Sequence, residues 1–208
     1  MPWTSSWNTS SGVSNKPLDT DLLDRAIVFA VRAHAGTERR GKGFPYIVHP
    51  LEAMAIAATM TSDQEVLSAA ALHDVVEDTE VTLDEIRERF GERVASLVDT
   101  ESDSLDKGLD WKGRKMESLR RLEAASRDGK IVAMGDKLSN MRAIARDYTS
   151  IGESFWDRFR IKDKSVHGWR YHALVQALSS LSDTYAFQEF KFLVDRIFPE
   201  EKHSIWNH

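Results

Sequence analysis

The sequence predicts an all-α protein with a single domain, and three observations carry that prediction. Apolar residues from Leu22 to Val31 recur at helical spacing. No stretch of useful length alternates between polar and apolar residues as a half-buried strand would. Signals that begin and end helices are present, because Thr82 and Glu85 form a capping box and Gly91 follows as a stop. The 208 residues are enough for one domain with a sizeable core.

Each helix follows from a local pattern. Proline is favoured in the first turn of a helix, so Pro50 places the second helix start beside His49. The apolar runs Ala69–Leu72 and Ile131–Met134 indicate two further helices that are buried at those points. Helices are expected from Leu22 onward and then over residues 50–60, 64–78, 83–90, 92–99, 111–126, 130–146, 153–161, 166–181 and 183–197.

The two ends of the chain differ from its body. Residues 1–16 are rich in serine, threonine and asparagine and are expected to form a flexible N-terminal leader. The helical domain is predicted to span residues 17–198, followed by a C-terminal tail over 199–208.

Composition excludes several classes of protein. The net charge of −5 disfavours a nucleic-acid-binding surface. No run of eighteen apolar residues is present, so no membrane span is expected. The N-terminus lacks the basic start and apolar core of a secretory signal, which favours a cytoplasmic protein. The absence of cysteine excludes disulfides and thiolate ligands.

Two polar blocks interrupt otherwise apolar helical stretches. One runs from His73 to Asp78 and the other from Asp136 to Asn140. Because residues four apart share a helix face, each block brings polar side chains together. Any one of them could be a helix cap or a surface ion pair. Buried charged clusters at two places indicate function instead, since burying such groups is costly unless something binds them.

The blocks, together with the histidine before Pro50, supply a set of metal ligands. Two imidazoles and two carboxylates make a mixed nitrogen and oxygen set. Such a set suits manganese, iron or another borderline divalent ion better than a structural zinc site, which normally uses sulfur. The predicted ligands are His49, His73, Asp74 and Asp136.

These motifs resemble the hydrolase domain of RelA/SpoT-type alarmone enzymes, which belongs to the HD phosphohydrolase superfamily. The resemblance is carried by the strings at Pro45–Pro50, Leu72–Thr79 and Gly135–Asn140, in that order and spacing. Flanking residues at Thr82–Ile86 and Phe90–Gly91 match as well, and the resemblance extends over nearly the whole chain.

The resemblance implies an HD-domain helical bundle and a small alarmone hydrolase without the synthetase domain of the long enzymes. The implied reaction is the metal-dependent hydrolysis of the 3′-pyrophosphate of guanosine alarmones, (p)ppGpp, to GDP or GTP and pyrophosphate. One Mn²⁺ ion is the implied cofactor, and a small-molecule nucleotide is the implied partner. The oligomeric state is left open.

Roles for further residues come from their positions and from the same resemblance. Glu77 and Asp78 are placed to orient or deprotonate the attacking water. Arg39, in a glycine-rich basic loop, is expected to pack against the base. Additional substrate contacts are expected from Arg40, Lys112, Arg114, Lys115, Lys137 and Asn140, although an exposed helix face is an alternative for those near 112–115.

Two alternatives to the guanosine alarmone remain. The basic loop is about one residue longer than the usual pattern and has Arg40 where lysine is common. The substrate could therefore be another nucleotide, such as (p)ppApp or NADPH. A catalytically silent nucleotide-binding domain is the other alternative, but such a domain would be expected to lack a metal-binding or water-activating residue, and none is missing.

Overall fold

The structure, a computed structural model, describes residues 18–101 and 110–199. Within these ranges the chain is helical, and the only extended pairing is an isolated bridge between Glu38 and Pro45. This confirms the all-α prediction. None of the helices in the described ranges is both long and apolar enough to cross a membrane. The α-helices are α1 (Asp21–Ala33), α2 (Val48–Ala57), α3 (Gln64–Leu72), α4 (Val75–Asp78), α5 (Leu83–Phe90), α6 (Glu92–Glu101), α7 (Trp111–Ala124), α8 (Arg127–Ile151), α9 (Lys164–Ala177) and α10 (Tyr185–Ile197).

Several predicted helix boundaries agree with the structure, and others differ from it. The Thr82 side chain accepts a hydrogen bond from the Glu85 amide at the start of α5, and Gly91 ends that helix with a φ of 95°. Helix α8 begins earlier than expected, where Ser126 caps its N-terminus, and it also continues to Ile151, beyond the predicted end at residue 146. The segment expected as a helix over 153–161 is instead a 3-10 helix, Gly152–Arg158. The predicted leader lies outside the described residues, as does all of the predicted tail except Pro199.

The core is organised around α8. This helix packs against α2, α3, α6 and α10, and its apolar residues from Ile131 to Met134 are buried. Helix α3 is buried from Val66 to Leu72. The helices that carry the two polar blocks therefore lie next to each other in the interior.

The contact between α2 and α8 is unusually close at one point. A Cβ atom added to Gly135 would lie 2.4 Å from the backbone oxygen of Ala53, a distance that real side chains do not show. Only glycine allows the two backbones to approach this closely. Asp136 directly follows Gly135 on α8, and Ala53 lies one turn after His49 on α2, so the close approach lies beside both of these residues.

Candidate metal and nucleotide site

Three buried side chains from different parts of the chain converge at the α2–α8 contact. His49, His73 and Asp136 each offer one ligand atom, and these atoms lie within 4.8 Å of one another. Asp136 Oδ1 is 3.1 Å from His49 Nε2 and 3.6 Å from His73 Nε2. Two imidazoles and a carboxylate at this spacing can hold a divalent metal ion.

Asp74 completes the set that the sequence predicted. Its Oδ2 atom is 3.3 Å from His49 Nε2 and 3.1 Å from His73 Nε2. The Tyr46 hydroxyl donates to the same oxygen at 2.7 Å. Burial and the Asp74 and Asp78 carboxylates raise the pKa of Tyr46, so its phenol remains a hydrogen-bond donor. All four predicted ligands are brought together.

A break in the helix explains how the neighbouring residues His73 and Asp74 both face the ligand cluster. The helix predicted over 64–78 ends at Leu72 and resumes at Val75, with His73 and Asp74 in the turn between α3 and α4. In a continuous helix, side chains of consecutive residues would point roughly 100° apart. The prediction of one unbroken helix was wrong here.

The His73 imidazole has one nitrogen in use and one directed at the cluster. Its Nδ1 lies 2.8 Å from the Ala70 carbonyl oxygen, which can only accept, so Nδ1 carries the hydrogen. The buried Nε2 makes no hydrogen bond of acceptable geometry with any described residue. A cation between Nε2 and the two carboxylates would satisfy this atom, so the residues present fit a metal ion.

The charges of the cluster favour a cation at the same place. Burial lowers the pKa of His73, but the Asp74 and Asp136 carboxylates outweigh it and raise that pKa well above its ordinary value. Burial raises the pKa of Asp136, yet Lys137 and the two imidazoles bring it well below its usual range. The carboxylates thus stay ionised and attract positive charge.

The cluster opens into a polar cavity of about 230 Å³. Both carboxylates and cations line its wall. The predicted catalytic residues Glu77 and Asp78 lie on α4, directly after the ligand turn. The cations that line the cavity are Arg39, Lys115, Lys137 and Arg170.

Asn140 connects the basic loop to the ligand cluster. Its Oδ1 accepts a hydrogen bond from Arg39 Nη2 at 2.6 Å, and its amide nitrogen donates to Asp136. The Arg39 guanidinium also lies over the Tyr46 ring, 5.0 Å from its centroid. Lys137 Nζ is 2.5 Å from the other Asp136 oxygen. Arg39, Lys137 and Asn140, three of the predicted substrate contacts, are therefore placed around the cluster.

Three predicted substrate contacts do not line the cavity. Arg40 is exposed in the turn of the basic loop. Lys112 is exposed and lies over the Trp169 ring, 5.5 Å from its centroid. Arg114 lines a separate cavity beside Trp111 and Arg160. Neighbouring residues on α7 point in different directions, and among the predicted residues of that helix Lys115 reaches the site.

Some residues of the cavity were missed by sequence analysis. Tyr46 stands three residues before His49 in the string that identified that histidine, so a signal for it existed. Arg170 on α9 and Ser118 on α7 belong to no motif. Only the packing of α7 and α9 against each other brings them to the cavity.

Comparison with known proteins identifies relatives over the same region. A family model described as HD domain matches residues 26–153. The chain is 37% identical over 135 residues to a guanosine-3′,5′-bis(diphosphate) 3′-pyrophosphohydrolase from Aquifex aeolicus, covering 64% of this chain and 19% of the relative. It is 39% identical over 130 residues to a protein of the same name from Vibrio cholerae, covering 60% of this chain and 18% of that protein. The chain thus spans less than a fifth of the length of these curated relatives.

Solved structures share the fold. A metazoan ortholog of SpoT, described as hydrolysing ppGpp, superposes with a TM-score of 0.67 at 22% identity, covering 88% of this chain and 97% of that one. A protein from Listeria monocytogenes superposes with a TM-score of 0.66 at 29% identity, covering 73% and 99%. The family model spans more than half of the residues. The chain therefore belongs to the HD domain family, and its homology to the RelA/SpoT-type proteins confirms the resemblance that its motifs predicted.

Proposed function

We propose that this protein hydrolyses the 3′-pyrophosphate of guanosine alarmones, (p)ppGpp, releasing pyrophosphate and leaving GDP or GTP. One observation supports the proposal most directly. A cluster of histidine and aspartate ligands, two accessible carboxylates and four cations line a single cavity. A reaction that cleaves a phosphate ester in an anionic nucleotide needs all three kinds of group.

The four converging ligands, His49, His73, Asp74 and Asp136, are proposed to hold one divalent ion, with Mn²⁺ preferred for its tolerance of imidazole. When bound, such an ion polarises a phosphoryl group and makes a water molecule more acidic. Lys137 neutralises the second oxygen of Asp136, which keeps that carboxylate in one orientation.

Glu77 and Asp78 are proposed to orient the attacking water and accept its proton. Both line the cavity and are exposed, so their carboxylates are accessible to water. From α4, one turn beyond the ligand pair, they are proposed to reach the water that attacks the phosphate.

The cations are proposed to bind the nucleotide. Arg39 presents a planar guanidinium that the Tyr46 ring and Asn140 hold in place, and such a plane can stack on a purine. Lys115, Lys137 and Arg170 supply positive charge for the phosphates, which an acidic protein can bind only through a local basic patch. The names of the Aquifex and Vibrio relatives support this substrate class. An intracellular nucleotide substrate also supports the cytoplasmic location predicted above.

A substrate panel tests the proposal. The full chain would be incubated with Mn²⁺ and with ppGpp, pppGpp, ppApp, NADPH or common nucleoside triphosphates, and the products separated by anion-exchange chromatography. We expect GDP from ppGpp and GTP from pppGpp, each with one equivalent of pyrophosphate. Preferred turnover of ppApp or NADPH would retain the chemistry and correct the substrate. No turnover of any nucleotide, with binding retained, would point to a silent binding domain.

A further inference from the structure

A chain of polar contacts reaches His49 from the side away from the cavity. His49 Nδ1 lies 2.8 Å from Ser139 Oγ, and that hydroxyl donates to Glu52 Oε2 at 2.7 Å. Ser139 is only 2% exposed. Neither Ser139 nor Glu52 lines the cavity, so their route to the site runs through the histidine.

The direction of these hydrogen bonds fixes the histidine tautomer. An ionised carboxylate can only accept, so the hydroxyl hydrogen of Ser139 points to Glu52. The Ser139 oxygen then accepts the Nδ1 hydrogen of His49. Nε2 is left with a lone pair, 3.1 Å from Asp136 Oδ1 in the ligand cluster. A ring nitrogen must carry a lone pair to bind a metal ion.

The Glu52 carboxylate is itself held in place. Arg142 Nη1 donates to Glu52 Oε1 at 3.2 Å. The same guanidinium makes two hydrogen bonds of 2.7 Å to Glu189 on α10. The contacts thus connect the ligand histidine on α2 to α8 and to α10, and α10 lies beyond the residues that the family model matches.

We propose that Ser139 and Glu52 are positioning residues that hold His49 in the tautomer able to bind the metal ion. Arg142 and Glu189 keep the Glu52 carboxylate oriented toward Ser139. This inference rests on the proposed metal site and deepens it. Partners of this kind, one contact behind a ligand histidine, change metal affinity by about 10–100-fold when removed.

Two variants disturb the contacts in different ways. Ser139→Ala removes the acceptor for the His49 Nδ1 hydrogen. Glu52→Gln keeps the shape, but Arg142 holds the amide oxygen and turns the amide nitrogen toward Ser139. That nitrogen donates, so the Ser139 hydrogen rotates to His49 Nδ1 and favours the tautomer with hydrogen on Nε2, which cannot bind a metal ion.

The test measures metal binding directly, without substrate. Binding of Mn²⁺ to the full chain would be titrated by the electron paramagnetic resonance signal of the free ion, and the melting temperature of each metal-free protein would be recorded. Ser68→Ala is the matched control, because Ser68 is also fully buried and its hydroxyl has no hydrogen-bond partner among the described residues. Nitrogen-15 histidine spectra of the metal-free proteins at alkaline pH would report the tautomer.

We expect Ser139→Ala and Glu52→Gln each to weaken Mn²⁺ binding by about 10–100-fold, with Ser68→Ala unchanged and the metal-free melting temperatures similar. Glu52→Gln should also move the His49 hydrogen from Nδ1 to Nε2. Unchanged Mn²⁺ affinity in both variants, with binding intact in the wild type, would overturn this inference alone. A wild-type protein that binds no divalent ion would overturn the proposed metal site and the inference with it. If Ser139→Ala does not fold, Glu52→Gln decides, since the Glu52 side chain is 38% exposed and its change leaves the core intact.

Discussion

The two sides of the cavity are built differently. The ligand side consists of His49, His73, Asp74 and Asp136. The cationic side consists of Arg39, Lys115, Lys137 and Arg170. Three of its residues, His49, His73 and Asp136, are buried, and the His73 ring is held by a contact with the Ala70 carbonyl oxygen. The cationic side is assembled from partly exposed side chains on the basic loop and on α7, α8 and α9.

This difference predicts that the two sides of the cavity tolerate substitution to different degrees. A metal ion requires ligands at fixed distances, so small displacements on the ligand side should abolish function. A flexible polyanion can be bound by several cations in more than one arrangement, so losses on the cationic side should be graded. The predictions below test that contrast, beginning with the largest effect.

Metal removal should have the largest effect. We expect chelation to abolish hydrolysis, and added Mn²⁺ to restore it better than Mg²⁺, because imidazole ligands suit manganese while magnesium prefers oxygen. The measurement is initial rate of pyrophosphate release after dialysis against chelator and addition of each ion. Full activity in excess chelator would show that the reaction does not need a metal ion at the ligand side.

Loss of either proposed catalytic carboxylate should come next. Glu77→Gln and Asp78→Asn are each expected to lower kcat by about a hundredfold or more, the scale for a general acid or base. Affinity for Mn²⁺ should remain, since neither is assigned as a ligand. Glu80→Gln is the matched control, an exposed carboxylate nearby that does not line the cavity. Loss of Mn²⁺ binding in either variant would make that residue a ligand instead.

Gly135→Ala should damage the ligand side through the fold. The added Cβ would meet the Ala53 backbone oxygen at 2.4 Å, so α8 must move away from α2. Overpacking of this kind costs about 1–3 kcal/mol of stability. The shift should also weaken Mn²⁺ binding, because it separates His49 from Asp136.

The control lies in the same helix. Gly129→Ala meets its nearest neighbours only at 3.4 Å, and alanine favours helix more than glycine does, so its stability should be unchanged or higher. Chemical denaturation and Mn²⁺ titration of both variants check the pair. Equal stability and equal Mn²⁺ affinity in the two variants would show that the close contact at Gly135 does not set the ligand distances.

The same contrast explains how much could be predicted from the sequence. The ligand side was predictable because each ligand lies in a short motif, and the capped helices around it follow local rules. The turn at His73 and Asp74 was not predictable, since nothing in the local sequence signals a break in the helix. Arg170 could not be found either, because only the packing of α7 and α9 brings it to the cavity. Arg39 and Arg40 were both predicted to contact the substrate, and only the fold of the loop brings Arg39 alone to the cavity.

That last pair gives the smallest expected effect and a direct comparison within one loop. Arg39 donates to Asn140 and lies over Tyr46 at the cavity, whereas Arg40 is exposed outside it. Arg39→Ala should raise KM about tenfold, since stacking on a base contributes about 1–3 kcal/mol. The increase should be similar for guanine and adenine alarmones, because stacking reads a ring face and not a hydrogen-bonding edge. Arg39→Lys should not restore KM, because an ammonium group has no plane to stack.

Arg40→Ala is the matched control, with the same charge removed one residue away. Steady-state kinetics with ppGpp and ppApp at constant Mn²⁺ would compare the variants. If Arg40→Ala raised KM as much as Arg39→Ala, loop charge and not stacking would explain the effect. If Arg39→Ala inverted the preference between the two bases, Arg39 would be reading a base edge. An unchanged KM in Arg39→Ala would place the nucleotide away from the loop, leaving Lys115, Lys137 and Arg170 as the cationic side.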